Sequence, residues 1–171
     1  YYEKKFATRK AKIYESNGEV WHRTGDVGYF DDQGRIWFCG RKAHMCNSGD
    51  ETYYSVKVEY CFSGLAGINR VALVNISLNG QKVLALCIEP TQRFMSPTAR
   101  RTIVTDIVQV ARRYRIPLRV IAFHARQFPV DKRKKEKIER HLLAKWVQDS
   151  LTRLRCNWAI YHVSMTNIAA R

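Results

Sequence analysis

Two β-prone runs, Arg70–Leu78 and Lys82–Glu89, are joined by Asn79-Gly80, and this junction restricts the fold more than any other segment. An Asn-Gly link closes a tight turn whose two central residues both take positive φ. The runs are therefore predicted to fold back on each other as an antiparallel hairpin. Upstream of it, Ser55–Phe62 suits a short helix, with Ser55 as N-cap and Val58, Cys61 and Phe62 on one face. Downstream, Ser96-Pro97 opens a second helix, because serine caps free N–H groups and proline at the first position sacrifices no hydrogen bond. Ile103, Ile107, Val110, Ala111 and Tyr114 then recur at helical spacing and form one apolar stripe. Pro117–Phe123 reads as a third strand, Phe128–Lys137 as a charged loop, and Ile138–Leu154 as a final amphipathic helix. The expected class is α+β: a three-stranded sheet, including the hairpin, flanked by helices.

The first forty residues read differently. Glu19–Arg23, Asp26–Phe30 and Arg35–Cys39 are short strands, and Asp31-Asp32-Gln33-Gly34 is a turn between the last two. Gly40-Arg41 breaks the pattern, and a loop follows over Met45–Thr52 around Asn47-Ser48-Gly49-Asp50. The expected division is residues 1–41 as the β-rich end of one domain, 42–150 as a small α+β domain, and 151–171 as a tail with no assigned element. Trp21 and Trp37 read as core. The chain opens mid-pattern at Tyr1 and is read as a piece of a longer protein.

Thirty Lys and Arg against fifteen Asp and Glu give a formal charge of +15, an excess that attracts polyanions. The basic clusters at Arg9–Lys12, Arg112–Arg119 and Arg126–Arg140 are not interleaved with stacking aromatics, which argues against a nucleic-acid binder and for solvated basic faces around one cationic site. Cys39, Cys46, Cys61, Cys87 and Cys156 are odd in number and never spaced as CxxC. That excludes a zinc knuckle, points to no metal site, and favours the reducing cytoplasm. No segment approaches the run of about 18 apolar residues that a membrane helix needs.

Two segments carry more than a generic domain requires. One is Trp21-His22-Arg23-Thr24-Gly25-Asp26, followed by Gly28, Asp31, Gly34 and Gly40-Arg41; the other is Phe128-Pro129 followed by Lys137-Ile138-Glu139-Arg140. Together they resemble the adenylate-forming enzymes, the family of acyl-CoA synthetases, luciferases and peptide-synthetase adenylation domains. That family shows a W-x-R-T-G-D motif, a G-x-x-D-x-x-G hairpin, a Gly-Arg pair at the junction of its two domains, and a proline-led loop carrying a lysine. Trp37–His44 and Phe128–Trp146 look most like the β-lactone synthetases of bacterial olefin biosynthesis, which are often described as fatty-acid–CoA ligases.

The resemblance implies a C-terminal fragment of an ATP-dependent, acid-activating ligase. Residues 1–41 would close the large adenylation domain, 42–150 would be the mobile lid, and Lys42 and Ala43 would be the hinge. The implied substrates are ATP, with Mg²⁺, and a long-chain carboxylic acid, with AMP as product. Phosphate loop, adenine site, acyl pocket and most of the Mg²⁺ binding would lie in a large N-terminal domain. The fragment alone is expected to be inactive. The chemistry of the residues agrees with these roles. An ionised carboxylate accepts two hydrogen bonds side by side, so Asp26 suits both hydroxyls of a ribose, with Thr24 and Gly25 permitting close approach. Arg41 adds a forked donor to the nucleotide. Lys137 is a compact cation on a long stem, suited to charge developing as carboxylate attacks phosphorus. Glu59 is expected to form a structural salt bridge, and His44 to be a packing residue.

Several positions depart from the family pattern. Ala43 replaces the usual Asp or Lys of the pivot, as in the lactone-forming relatives. Ser48 and Glu51 stand where Thr and Gly are usual, in a loop that lines the thiol tunnel of thioester-forming members. Glu136 precedes the lysine in place of Gly or Ala, and Lys134-Lys135 replace His-Asn. The alternatives are a fatty acyl-CoA synthetase lid and, from another class, a basic nucleic-acid-binding or non-catalytic interaction module.

Overall fold

The computed structural model describes residues 5–131, 134–152 and 159–164, and the chain divides into two compact units, Tyr1–Ala43 and His44–Arg171. Lys132, Arg133, Cys156 and most of the 151–171 tail lie outside the described residues.

The first unit is built from local hairpins. Helix α1 (Lys5–Ala11) leads into β1 (Lys12–Tyr14), which pairs antiparallel with β2 (Val20–His22). β3 (Asp26–Phe30) then pairs with β4 (Ile36–Arg41). Strand β4 runs through Gly40-Arg41, where a break was expected, because a bulge between Val27 and Gly28 restores the register and seats Asp26 opposite Arg41. Glycine is required at position 28, since a Cβ there would lie 2.8 Å from the Trp37 carbonyl oxygen. Trp21 and Trp37 are not core in this unit; they are 58% and 48% exposed. Two-stranded sheets provide no second layer to cover them.

The Lys42–His44 3₁₀ turn carries the chain from the first unit into the second, which begins with β5 (Cys46–Ser48) and β6 (Glu51–Tyr53), a hairpin where a loop was expected. Asn75 holds it by exchanging hydrogen bonds with the Asn47 backbone, both 2.8 Å. Helix α2 (Ser55–Tyr60) has Tyr54, not Ser55, at its N-cap. Ser55 is instead buried, with no hydrogen-bond partner for its hydroxyl among the described residues.

The central hairpin forms as expected. β7 (Ile68–Leu78) and β8 (Gln81–Pro90) are closed by Asn79 and Gly80 at φ 52° and 77°. Ser96 caps α3 (Pro97–Arg113), accepting from the Ala99 N–H at 3.1 Å. The helix crosses back so that β9 (Leu118–Phe123) lies parallel to β8. Its stripe buries Ile103, Ile107 and Ala111, but the helix ends before Tyr114, which is exposed.

Alternation along the strands divides the core in two. Leu73, Leu84, Leu86, Ile88 and Ile121 pack with Ile103 and Ile107 of α3 on one face. Ala72, Val74, Ala85, Cys87, Val120 and Ala122 face Leu143 and Val147 of α4 (Arg140–Thr152) on the other. The sheet is thus covered on both sides, and its small-residue face leaves room for α4 to close in. Burial pushes the Cys46 thiol up to about 11 and Cys87 higher still, so both behave as core residues.

The architecture is α+β as expected, with two additions. The charged segment after Phe128 forms a small hairpin, β10 (Val130–Asp131) with β11 (Lys134–Ile138). The tail supplies β12 (Ile160–His162), which pairs antiparallel with β9 and makes the sheet four-stranded, in the order β12-β9-β8-β7. Three residues are too short to show a period, and the open edge of β9 selects them.

Candidate functional site

In the first unit the three residues expected at a nucleotide come together at the open end of the β3–β4 hairpin. Arg41 Nε lies 2.9 Å from Asp26 Oδ1, and Arg41 Nη1 donates to the Thr24 carbonyl oxygen at 2.7 Å. The Asp26 N–H donates to Thr24 Oγ1 at 3.2 Å, and the Lys42 N–H to the Gly25 carbonyl at 2.9 Å. Thr24 is therefore the hub, receiving bonds from both Asp26 and Arg41 and ordering the carboxylate and guanidinium against each other. Asp26 Oδ2 accepts from no described residue, so one carboxylate oxygen is left for an outside hydroxyl. The Asp26–Arg41 pair was not foreseen. Counting across the Asp31–Gly34 turn without the bulge gives the wrong partner.

The closed end of the same hairpin is organised by Asp31. Its carboxylate accepts from Trp37 Nε1 (2.7 Å), the Gln33 and Arg35 N–H groups (3.0 and 2.9 Å) and Arg35 Nε (2.7 Å). The Trp37 bond first, with the Arg35 and Gln33 donors, outweighs desolvation and holds the Asp31 carboxyl down at about 2, below its ordinary 3.8. A depressed carboxyl contributes its full stability above the ordinary value and loses it as pH falls through the folded one. The Trp37 indole N–H resonance should accordingly titrate with a midpoint near 2. A midpoint at 3.8 or above would show that the carboxylate is not held in this way.

In the second unit Lys137 sits on β11, one residue before Ile138, whose partner is Val130. Ile138 packs toward the α4-side core, so the alternation of the strand turns Lys137 outward, and it is exposed. No described carboxylate pairs with its ammonium. The strand is anchored just beyond its C-terminal end. The Glu139 N–H donates to the Pro129 carbonyl at 2.8 Å, and Arg140 clamps Glu59 of α2.

Both side chains of that clamp are largely buried, 16% and 14% exposed. Arg140 Nη2 reaches Oε2 at 2.7 Å and Oε1 at 2.9 Å, and Oε1 also accepts from the Leu73 N–H at 2.7 Å. Burial pushes the Glu59 carboxyl up from its ordinary value, against the pull of Arg140 and the Leu73 N–H. The structural salt bridge expected of Glu59 is present. His44 lies at the edge of this network, its Nδ1 3.5 Å from Arg140 Nη1. Lys42 and Ala43 form the 3₁₀ turn that follows β4. No cluster of three His, Cys, Asp or Glu side chains able to hold a metal exists among the described residues, and no helix among them is long and apolar enough to cross a membrane.

No family model matches the chain. Among curated proteins it is 38% identical to the olefin β-lactone synthetase of Stenotrophomonas maltophilia over 156 residues, which is 88% of this chain and 28% of that protein. It is 30% identical over 121 residues to a long-chain-fatty-acid–CoA ligase of Mycobacterium tuberculosis, 71% of this chain and 23% of that protein. Among solved structures it resembles the Mycobacterium tuberculosis fatty acyl CoA synthetase at a TM-score of 0.53 and 27% identity, over 87% of this chain and 28% of that one. The Bacillus subtilis O-succinylbenzoate coenzyme A synthetase in complex with AMP shares the fold at a TM-score of 0.64 and 20% identity, over 84% and 27% of the two chains. The chain thus spans a little over a quarter of the length of these relatives at most.

Proposed function

Because the chain belongs to the adenylate-forming ligases, we propose that it is the C-terminal portion of an ATP-dependent enzyme that activates a fatty or β-hydroxy fatty acid. The observation that carries the reading is Lys137: an outward-facing cation without a described carboxylate partner, on a strand anchored just beyond its C-terminal end. Within the complete ligase, residues 1–41 would close the large domain, 42–150 would form the lid, and Lys42 and Ala43 would be the pivot.

In the proposed first step an oxygen of the acid's carboxylate attacks the α-phosphorus of ATP. The bond to the β-phosphate oxygen breaks, giving acyl adenylate and pyrophosphate. Lys137 stabilises negative charge that grows on the α-phosphate as two anions are brought together. Asp26 would receive ribose hydroxyls on its open oxygen, oriented by Arg41 and Thr24. Mg²⁺ would neutralise charge on the departing pyrophosphate, held outside the described residues of this chain. In the second step the substrate's β-hydroxyl oxygen attacks the activated carbonyl carbon. The C–O bond to AMP breaks, the hydroxyl proton passes to solvent, and a four-membered lactone closes.

The complete ligase, given ATP and a β-hydroxy fatty acid, should release AMP with no thiol present. An absolute requirement for coenzyme A would replace the lactone reading with an acyl-CoA synthetase. Failure to release pyrophosphate from ATP with any fatty acid would remove the adenylation reading altogether.

A further inference from the structure

The second unit contains a cavity that none of these roles uses. It has a volume of about 510 Å³ and is lined by Asn69, Glu89, Thr91, Arg93, His124 and Arg126, among others. Its position follows from topology. β8 and β9 are parallel, joined through α3, so both strands deliver their final residues to the same end of the sheet. Glu89 and Pro90 end β8, and His124–Gln127 follow the end of β9 at Phe123. A crevice outside the carboxyl ends of parallel strands is where α/β sheets characteristically hold ligands.

The charge of the lining decides what such a ligand would be. Glu89 is 3% exposed and fully committed. Its carboxylate accepts from Asn69 Nδ2 and the Phe128 N–H, and from Arg70 Nη2 at 2.6 Å and Nε at 3.1 Å. Arg70 neutralises it, so the only carboxylate among the described lining residues neither repels an anion nor offers itself to a cation. Neither Arg126 nor Arg93 has a charge partner among the described residues, and the Arg93 guanidinium lies over the Phe94 ring, 5.5 Å from its centroid. His124 Nδ1 is 2.8 Å from the Arg126 carbonyl oxygen and must carry the hydrogen of that bond, which leaves Nε2 uncommitted. The balance is two forked cations, an imidazole and the Thr91 hydroxyl around a space of small-molecule size.

We propose that this cavity binds a small phosphate-bearing molecule, its phosphoryl oxygens held by the Arg93 and Arg126 guanidinium groups. Planar forks that match two oxygens at once favour phosphate over a spherical anion. Two sources share that chemistry, an inorganic phosphate anion and a sugar phosphate ester, and two probes separate them.

The 171-residue chain, ¹⁵N-labelled, is titrated in parallel with inorganic pyrophosphate and with ribose 5-phosphate. The expected result is saturable binding of at least one probe, with a Kd on the order of 0.1–1 mM, and amide shifts centred on Thr91, His124 and Arg126. Saturation by pyrophosphate alone assigns the inorganic source, and by ribose 5-phosphate alone the ester. Arg93→Ala and Arg126→Ala should each weaken binding about tenfold, as for loss of one charge-assisted donor. Arg112→Ala removes the same charge from the exposed surface of α3 and should leave binding unchanged. Unsaturated shifts with both probes, or an equal loss in Arg112→Ala, would overturn the site and leave only the diffuse attraction of a basic chain. The amide spectrum of each variant verifies that it remains folded.

Discussion

Lys137→Ala is expected to lower kcat for adenylation in the complete ligase by about a hundredfold or more, while KM for ATP moves little. The two parameters separate because the charge that Lys137 meets develops only as carboxylate attacks phosphorus. An interaction made only in the transition state appears in kcat, and its loss commonly costs about 3–4 kcal/mol of barrier. Asp26 is the contrasting case. It would hold the ribose in ground state and transition state alike, so Asp26→Ala should mainly weaken ATP binding. Lys134 and Lys135, on the same strand, are the electrostatic control. If Lys137 acts as a positioned group, alanine at either neighbour changes the rate only a few-fold, because the general positive charge of the segment is screened by salt. Pyrophosphate release with a β-hydroxy fatty acid is the assay. Equal losses at all three lysines would reduce Lys137 to one member of a basic patch.

Arg140→Ala should cost about 3–5 kcal/mol of unfolding free energy, the loss typical when one partner of a buried ion pair is removed. The Glu59 carboxylate left behind is 14% exposed and would keep only the Leu73 N–H of the bonds described for it. Urea unfolding of the 171-residue chain measures the effect. The double variant Glu59→Ala, Arg140→Ala should be less destabilised than the sum of the single changes, because the second substitution removes the stranded charge. A loss below about 1 kcal/mol, the range of an exposed surface pair, would mean that the clamp is solvated and does not anchor the strand carrying Lys137. Strict additivity would lead to the same conclusion.

Features written by neighbours in sequence were the most legible. Asn79-Gly80 closes its hairpin with both residues at positive φ, and Ser96-Pro97 starts its helix with the cap in place. In each case the conformational preference of two residues outweighs what surrounds them. Thr24, Asp26 and Arg41 were legible as members of a motif, but their mutual arrangement was not. The pairing of Asp26 with Arg41 depends on a one-residue bulge that shifts the register, and nothing local announces it. The tryptophans misled for a related reason. Trp21 and Trp37 look like core residues in any sequence, yet burial requires a second layer, and the described residues of the first unit form only two-stranded sheets.

The sequence by itself determined the α+β class and the turns and caps, because these rest on local propensity, periodicity and spacing, whereas Thr24, Asp26, Arg41 and Lys137 stood out through resemblance to the family's motifs. Tertiary structure decided the contacts between distant segments. Arg140 finds Glu59 at a sequence separation of 81, and Phe128 finds Glu89 at a separation of 39. The edge of β9 recruits Ile160–His162 from a tail with no pattern of its own. The cavity beside Glu89 exists only because a parallel crossover brings the ends of β8 and β9 together. Each is a partnership between residues whose own preferences are weak, and only the closed sheet makes one pairing better than its competitors.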